Sequence, residues 1–121
     1  MLTEAHIARL LDIANAGCHN GYVADARAIY AAVLAEKPQS NAARIGMALS
    51  HIVVNDFDTA EQKLNALLAE HSDDADAIAM LGLSLMLSGK KEEAIACLTP
   101  LAAQDTVQAK LAHDLLEQMQ A

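Results

Sequence analysis

The same pattern of small and large apolar residues occurs three times along the chain: in ARAIYAAVL (residues 26–34), AEQKLNALL (residues 60–68) and AIACLTPLA (residues 94–102). Each copy starts with an alanine, and the interval from position 26 to 60 equals the interval from 60 to 94. Large apolar residues follow four and seven positions after each alanine, a spacing that places them on one face of a helix. An internal repeat of constant period, with a helix in each copy, therefore organises the sequence.

A second helical pattern precedes each copy and carries its own small residue in the same register. These pairs of small residues are Ala14 with Ala26, Ala48 with Ala60, and Gly82 with Ala94. Turn signals containing Gly or Asn lie between the two patterns in every repeat. Two antiparallel helices joined by a tight turn approach most closely near that turn, where only Ala or Gly fits. Each repeat is therefore predicted to be a helical hairpin.

The composition agrees with an all-α chain. Of the 121 residues, 54% are hydrophobic but only 2% are aromatic, whereas β-sheets favour β-branched and aromatic residues. The net charge of -8 repels phosphate backbones and anionic lipid surfaces, so we expect neither nucleic-acid binding nor membrane insertion. No apolar stretch approaches the roughly 18 residues that a membrane span requires.

The cysteines and histidines do not form a pattern typical of an enzyme. The chain has only two cysteines, Cys18 and Cys97, and the single bridge that they could form would be little framework, which favours a reducing, cytoplasmic setting. Cys18 and His19 are adjacent, and adjacent helical side chains diverge by about 100°. No Gly-rich phosphate loop or HExxH zinc motif occurs. We therefore expect no catalytic residue, no cofactor and no metal site.

The helix ends can be placed from capping residues and one proline. We expect N-caps at Ser40, at Asp56, at Asp73 or Asp74, and at Asp105 or Thr106. Pro100 should end or kink its helix near Thr99, because it lacks a backbone donor.

The last helix has its own apolar pattern. Its stripe consists of Val107, Leu111, Leu115 and Met119. This pattern predicts a terminal helix that buries the stripe and keeps a polar outer face.

The repeat resembles the tetratricopeptide repeat (TPR), whose period of about 34 residues is the same. The small residue at its eighth position and the alanine at its twentieth match the pairs above, and Pro38 keeps the proline that often closes a repeat. The resemblance covers residues 7 to 108 and implies an all-α solenoid of about seven helices in a single domain over residues 1–121. Its parts would be repeats 7–40, 41–74 and 75–108 and a capping helix 107–120.

The resemblance also implies a concave groove lined by the first helix of each repeat. The groove positions fall on Leu11, Asn15, Cys18, Ile45, Leu49, Ile52, Val53, Leu83, Met86 and Leu87. The first helices of the second and third repeats also need a core face, so they are apolar almost all round. Three repeats are too few to bury both sides, and a bare groove would exceed the apolar patch that soluble monomers usually expose.

The expected ligand of this groove is an amphipathic helix, because the groove lacks the Lys and Arg residues that clamp a carboxylate. The alternatives are that the chain's own C-terminal helix or tight superhelical curvature covers the groove, or that a homodimer does.

Size, acidity and the apolar groove are similar to those of bacterial type III secretion chaperones, especially the TPR chaperone of the needle subunit. That resemblance implies a cytoplasmic bacterial protein that sequesters the amphipathic C-terminal helix of the needle subunit and prevents premature polymerisation. A second small helical co-chaperone would join the complex. One alternative is a chaperone of the pore-forming translocators, which usually carry a longer N-terminal extension than residues 1–6 provide here. Another is a generic scaffold that dimerises through its groove.

Overall fold

The computed structural model describes residues 2–120, and over these residues the fold is all-α. The seven helices in this range are α1 (Glu4–His19), α2 (Val23–Glu36), α3 (Asn41–Ile52), α4 (Phe57–Glu70), α5 (Ala75–Leu87), α6 (Lys91–Ala102) and α7 (Val107–Gln120). The prediction of an all-α repeat fold with about seven helices is confirmed for this part of the chain.

Three of the helices that follow α1 begin after a polar residue that caps them. The side chains of Ser40, Asp74 and Thr106 accept hydrogen bonds from backbone N–H groups three residues later, at 3.2, 3.0 and 3.0 Å respectively. Each bond satisfies one of the N–H groups that a helix start leaves without an intrahelical partner. These residues are Ser40 and one member of each predicted alternative pair.

The first helix starts earlier than the predicted repeat does. Thr3 accepts a hydrogen bond from the backbone N–H of His6 at 3.1 Å. Because Thr3 caps the helix, α1 begins at Glu4 rather than at Ile7.

One left-handed residue lies between the helices of each hairpin. Gly21, Asn55 and Gly89 have φ angles of 89°, 63° and 85°, and they are separated by the repeat period. Glycine adopts this conformation without steric cost, and asparagine is the other residue that tolerates it well. The turn signals in the sequence therefore correspond to one recurring backbone conformation.

The described residues pack as two compact units that divide between Asp56 and Phe57. In the first unit, α1, α2 and α3 each contact the other two helices. In the second unit, α5 packs against α4, α6 and α7, and α6 also packs against α7. The boundary falls between the two helices of the predicted repeat 41–74, so a single domain over residues 1–121 stays a prediction.

A tyrosine and a glycine pack directly against each other in the first unit. Tyr30 of α2 is fully buried, and its ring lies directly on Gly46 of α3. A Cβ atom at position 46 would be 2.2 Å from Tyr30 Cε1, a distance that no side chain accepts. Ala14 and Ala26, the predicted small pair of the first hairpin, are also buried.

The second unit has an equivalent contact between α5 and α6. A Cβ atom at Gly82 would be 2.3 Å from Leu98 Cδ2, and Leu98 is fully buried. Ala94 is fully buried as well. Because Gly82, the small residue at the eighth position of its repeat, has no side chain, Leu98 can pack directly against α5. Leu98 lies one helical turn after Ala94.

Pro100 does not end its helix near Thr99, and the predicted alternative, a kink at that place, stays a prediction. Helix α6 contains Pro100 and continues to Ala102. The proline lies in the last turn and is exposed. Its fixed φ is compatible with a helix, and its missing N–H removes one helical hydrogen bond.

The predicted orientation of α7 is also wrong in part. Its buried apolar residues are Ala109, Ala112, Leu115 and Met119. By contrast, Val107 is 84% exposed and Leu111 is 48% exposed. Two small alanines form much of the packed face, and the outer face of α7 is therefore partly apolar.

Candidate partner-binding surfaces

The α1 residues assigned to the groove belong largely to the core of the first unit. Leu11 and Cys18 are buried, while Asn15 is exposed. The hydroxyl of Tyr30 donates a hydrogen bond to Asn15 Oδ1, and Cys18 Sγ lies 3.7 Å from the same hydroxyl. Burial and the Cys18 hydrogen bond raise the pKa of Tyr30, so the phenol stays protonated as a donor. These side chains connect α1 to α2.

On α3 the predicted lining divides into buried and accessible residues. Leu49 and Ile52 are buried, Ile45 is half-buried, and Val53, just beyond the helix end, is exposed. Ile45 and Val53 are therefore the α3 residues that a partner can reach.

On α5 all three predicted residues retain accessible surface. Leu83 and Met86 are half-buried, and Leu87 is 52% exposed. The opposite side of α5 is occupied by Leu81, Gly82 and Leu85, which are buried. Helix α5 therefore has one apolar face in the core of the second unit and a second apolar face that stays accessible.

The predicted groove residues do not include Leu111 of α7, which is 48% exposed. The fixed repeat period misaligns α7, because the interval between the capping residues Asp74 and Thr106 is two positions shorter than that between Ser40 and Asp74. Counted from the caps, Leu111 occupies the same position as Ile45 does after Ser40. An alignment of the three capping residues therefore identifies Leu111 as a candidate site residue.

A hydrogen bond fixes how α7 begins beside α5. Gln108 Nε2 donates to Asp76 Oδ1 at 3.0 Å, and each residue is the second of its helix. Side chains three or four positions apart share one side of a helix. Leu111 therefore lies on the side of α7 that carries Gln108, and Leu83 and Leu87 lie on the side of α5 that carries Asp76.

A polar cluster in the first unit joins α2 to the end of α3. Arg27 donates to the hydroxyl and to the carbonyl of Ser50 at 3.0 and 3.1 Å, and its guanidinium lies 3.2 Å from His51 Nδ1. His51 Nδ1 is in turn 3.2 Å from a carboxylate oxygen of Asp56. Ser50 is fully buried, so these bonds satisfy polar groups at a helix contact.

A charged pair in the second unit joins Lys90 to Glu61. Lys90 Nζ lies 2.9 Å from Glu61 Oε2, and this hydrogen bond raises the pKa of Lys90. Among residues 2–120, no three His, Cys, Asp or Glu side chains are grouped in a way that would hold a metal ion.

A cleft of about 440 Å³ lies in the first unit beside the start of α1. Ile7 and Pro38 supply apolar walls, while Glu4 and Glu36 add carboxylates. None of the ten predicted groove residues lines this cleft.

No helix within residues 2–120 combines the length and the hydropathy that a membrane span requires. A family model of the tetratricopeptide repeat matches residues 54–119, which is more than half of the chain. Comparison with curated proteins and with solved structures finds no match.

Proposed function

The chain belongs to the tetratricopeptide repeat family, whose repeats mediate protein–protein interaction, and we propose that it is a chaperone for an amphipathic helix of a partner protein. Such a helix lays its apolar side on an apolar surface of the receptor. No catalytic residue, cofactor or metal takes part in this function.

The accessible apolar face of α5 is the observation that carries the proposal. Leu87 is exposed, and Leu83 and Met86 are half-buried, although α5 already packs against three other helices. Full burial of a leucine or methionine side chain contributes roughly 1.5–3 kcal/mol before the cost of association is subtracted. A partner that covers these side chains would gain a useful part of that free energy.

The proposed contact residues are fewer than the ten assigned from the sequence. On the second unit, Leu83, Met86 and Leu87 have surface available to a partner. On the first unit, described by itself, Ile45 and Val53 have accessible surface. The other apolar members of the set are buried in the fold, and Asn15 is bonded to Tyr30.

The proposed partner is the needle subunit of a bacterial type III secretion system, held in the cytoplasm before export. Support comes from the resemblance in acidity and in the apolar first helices. A needle subunit that polymerises through an apolar helical face stays monomeric when that face is covered. A second small helical co-chaperone would complete the complex.

Co-purification from the native cell tests this proposal. The tagged chain should enrich a small helical needle subunit identified by mass spectrometry, and Leu87→Asp should reduce that enrichment strongly because a charge would face the partner's apolar side. Ile13→Asp is a matched control, since Ile13 is 54% exposed on α1. Leu49→Asp is unsuitable, because Leu49 is only 7% exposed and a buried aspartate should unfold the chain.

Two results would contradict the proposal. One is a chain that enriches no helical secretion subunit, and the other is enrichment that Leu87→Asp and Ile13→Asp reduce equally. Circular dichroism of both variants separates loss of binding from loss of the fold.

A further inference from the structure

The acidity of this protein is concentrated in its second unit. Residues 57–121 contain eleven acidic and four basic residues, whereas residues 1–56 contain five acidic and four basic residues. Almost all of the net charge of -8 therefore belongs to the unit that also presents Leu87 and Leu111.

Three of the accessible apolar residues of this unit lie on the sides of α5 and α7 that the hydrogen bond between Gln108 and Asp76 joins, and together these sides form one face. We call it the α5–α7 face and define it by Leu83, Leu87 and Leu111. The hydrogen bond between Gln108 and Asp76 brings the starts of the two helices together at 3.0 Å. Leu83 and Leu87 lie two and three turns beyond Asp76 on its side of α5, and Leu111 lies one turn beyond Gln108 on its side of α7.

Acidic side chains border this face. Asp76 lies at its start and is exposed, and Asp114, also exposed, follows Leu111 by one helical turn. Lys110 is the only Lys or Arg in α5 and α7. The α5–α7 face is therefore an apolar strip bordered by two carboxylates and one lysine, which gives its border a net negative charge.

We propose that the α5–α7 face binds an amphipathic helix whose apolar side is flanked by Lys or Arg residues. This inference rests on the proposed function and specifies the charge of the partner and the contribution of α7. Apolar contacts supply affinity, while oppositely charged borders accelerate encounter and fix orientation.

A second copy of the chain fits this face poorly. In a symmetric dimer the same surface meets itself, so the acidic border of one copy would lie against the acidic border of the other. Such like-charge contacts oppose association. Charge complementarity therefore favours a cationic helix over self-association.

Two synthetic peptides test the proposal with the full chain. Both have about 18 residues, or five helical turns, with leucine along one side; one carries lysine and the other glutamate at the flanking positions. Fluorescence anisotropy at low salt should show the lysine peptide binding at least about tenfold more tightly. The difference should shrink in 1 M salt, where the screening length is about 3 Å.

Variants then locate the binding surface. Leu87→Asp and Leu111→Asp should each weaken binding of the lysine peptide about tenfold, because an apolar contact is replaced by a charge. Ile13→Asp adds the same charge in the first unit and should change affinity by no more than about twofold. Asp114→Asn should reduce the preference for lysine over glutamate while binding persists.

Each alternative result overturns a distinct claim. If both peptides bind equally and Leu87→Asp weakens both, the charge preference is rejected, while the proposal that the face binds an amphipathic helix stands. An unchanged affinity in Leu111→Asp would reject the contribution of α7. Equal binding of a lysine peptide with scrambled leucines would show that charge alone is responsible, and no binding of either helical peptide would count against the proposed function itself.

Sedimentation of the free chain tests whether a second copy of the chain occupies the α5–α7 face. A dimer that Leu87→Asp converts to a monomer would assign the α5–α7 face to a second copy and overturn the proposal. A monomer that binds the lysine peptide supports it.

Discussion

Two glycines inside helices of the first unit have opposite surroundings, which allows the same substitution to be tested twice. A Cβ atom at Gly46 would collide with the fully buried ring of Tyr30, whereas one at Gly17 would meet its nearest atom at 3.6 Å. Gly46→Ala should lower the free energy of unfolding by about 1–3 kcal/mol through overpacking. Gly17→Ala should raise it by roughly 0.5–1 kcal/mol, because alanine restricts the unfolded chain and favours helix. Urea denaturation of both variants measures the two changes, and destabilisation of similar size in both would contradict the packing argument.

Cys97 gives a second prediction at the scale of single residues. The residue is half-buried, and its Sγ donates a hydrogen bond to the carbonyl of Ile78 at 3.5 Å. Burial raises the pKa of this thiol, so the folded chain holds less of the reactive thiolate at pH 8 than the unfolded chain. Iodoacetamide should therefore modify Cys97 more slowly in the native protein than in urea, as followed by mass spectrometry of the peptide that contains it. The raised pKa also makes the free energy of unfolding fall as the pH rises above the unfolded pKa near 9. Above that pH the unfolded chain loses this proton, while the folded chain still holds it.

At the scale of helices, capping residues give the sharpest test, because two adjacent aspartates differ in function. Asp74 accepts the backbone N–H of Ala77 at 3.0 Å and starts α5, whereas the neighbouring Asp73 is exposed and is not the capping residue. Asp74→Ala should lower the free energy of unfolding by about 1 kcal/mol. Asp73→Ala removes the same charge at almost the same distance from the helix start, and its effect should stay within about 0.5 kcal/mol. Equal effects in thermal denaturation would mean that charge near the helix start, rather than the cap, is responsible.

The helices also show how far sequence patterns reach. Periodicity and turn residues predict the hairpins well, since the small residues and the left-handed turns recur with the repeat period. The same period does not predict which residues of α7 are buried, because the interval between the caps Asp74 and Thr106 is shorter than the repeat period. Leu111 is therefore accessible, although it belongs to the predicted buried stripe. Val107 and Leu111 look like core residues by spacing alone, but the packed face of α7 uses Ala109 and Ala112, whose small size gives them little weight in an apolar pattern. Pro100 also shows a limit of local patterns. A proline is expected to end or kink α6, but the helix continues to Ala102, and the sequence around Pro100 does not specify where the helix ends.

At the scale of the whole molecule, the candidate site was only partly predictable. The sequence indicates that α3 and α5 are apolar on more than one side, and the accessible surface of Ile45, Leu83 and Leu87 agrees with that pattern. It does not distinguish these residues from Leu49 and Ile52, which have the same character and are buried. Which apolar residue stays accessible depends on the helices packed around it, and no period in the sequence contains that information.

Ligand-linked stability provides the last prediction, because a partner that binds only the folded state must stabilise the whole chain. At a free partner concentration of 100 times Kd the stabilisation is about 2.7 kcal/mol, so the Tm should rise measurably when the lysine-flanked peptide is added. Leu87 is 52% exposed, and Leu87→Asp should therefore leave the Tm of the free chain nearly unchanged while removing most of the increase. Gly46→Ala should do the reverse: it should lower the Tm of the free chain and preserve the increase, since its target is the Tyr30 contact in the first unit. A Leu87→Asp chain that melts early without peptide would place Leu87 in the core and remove the main support for a partner-binding α5.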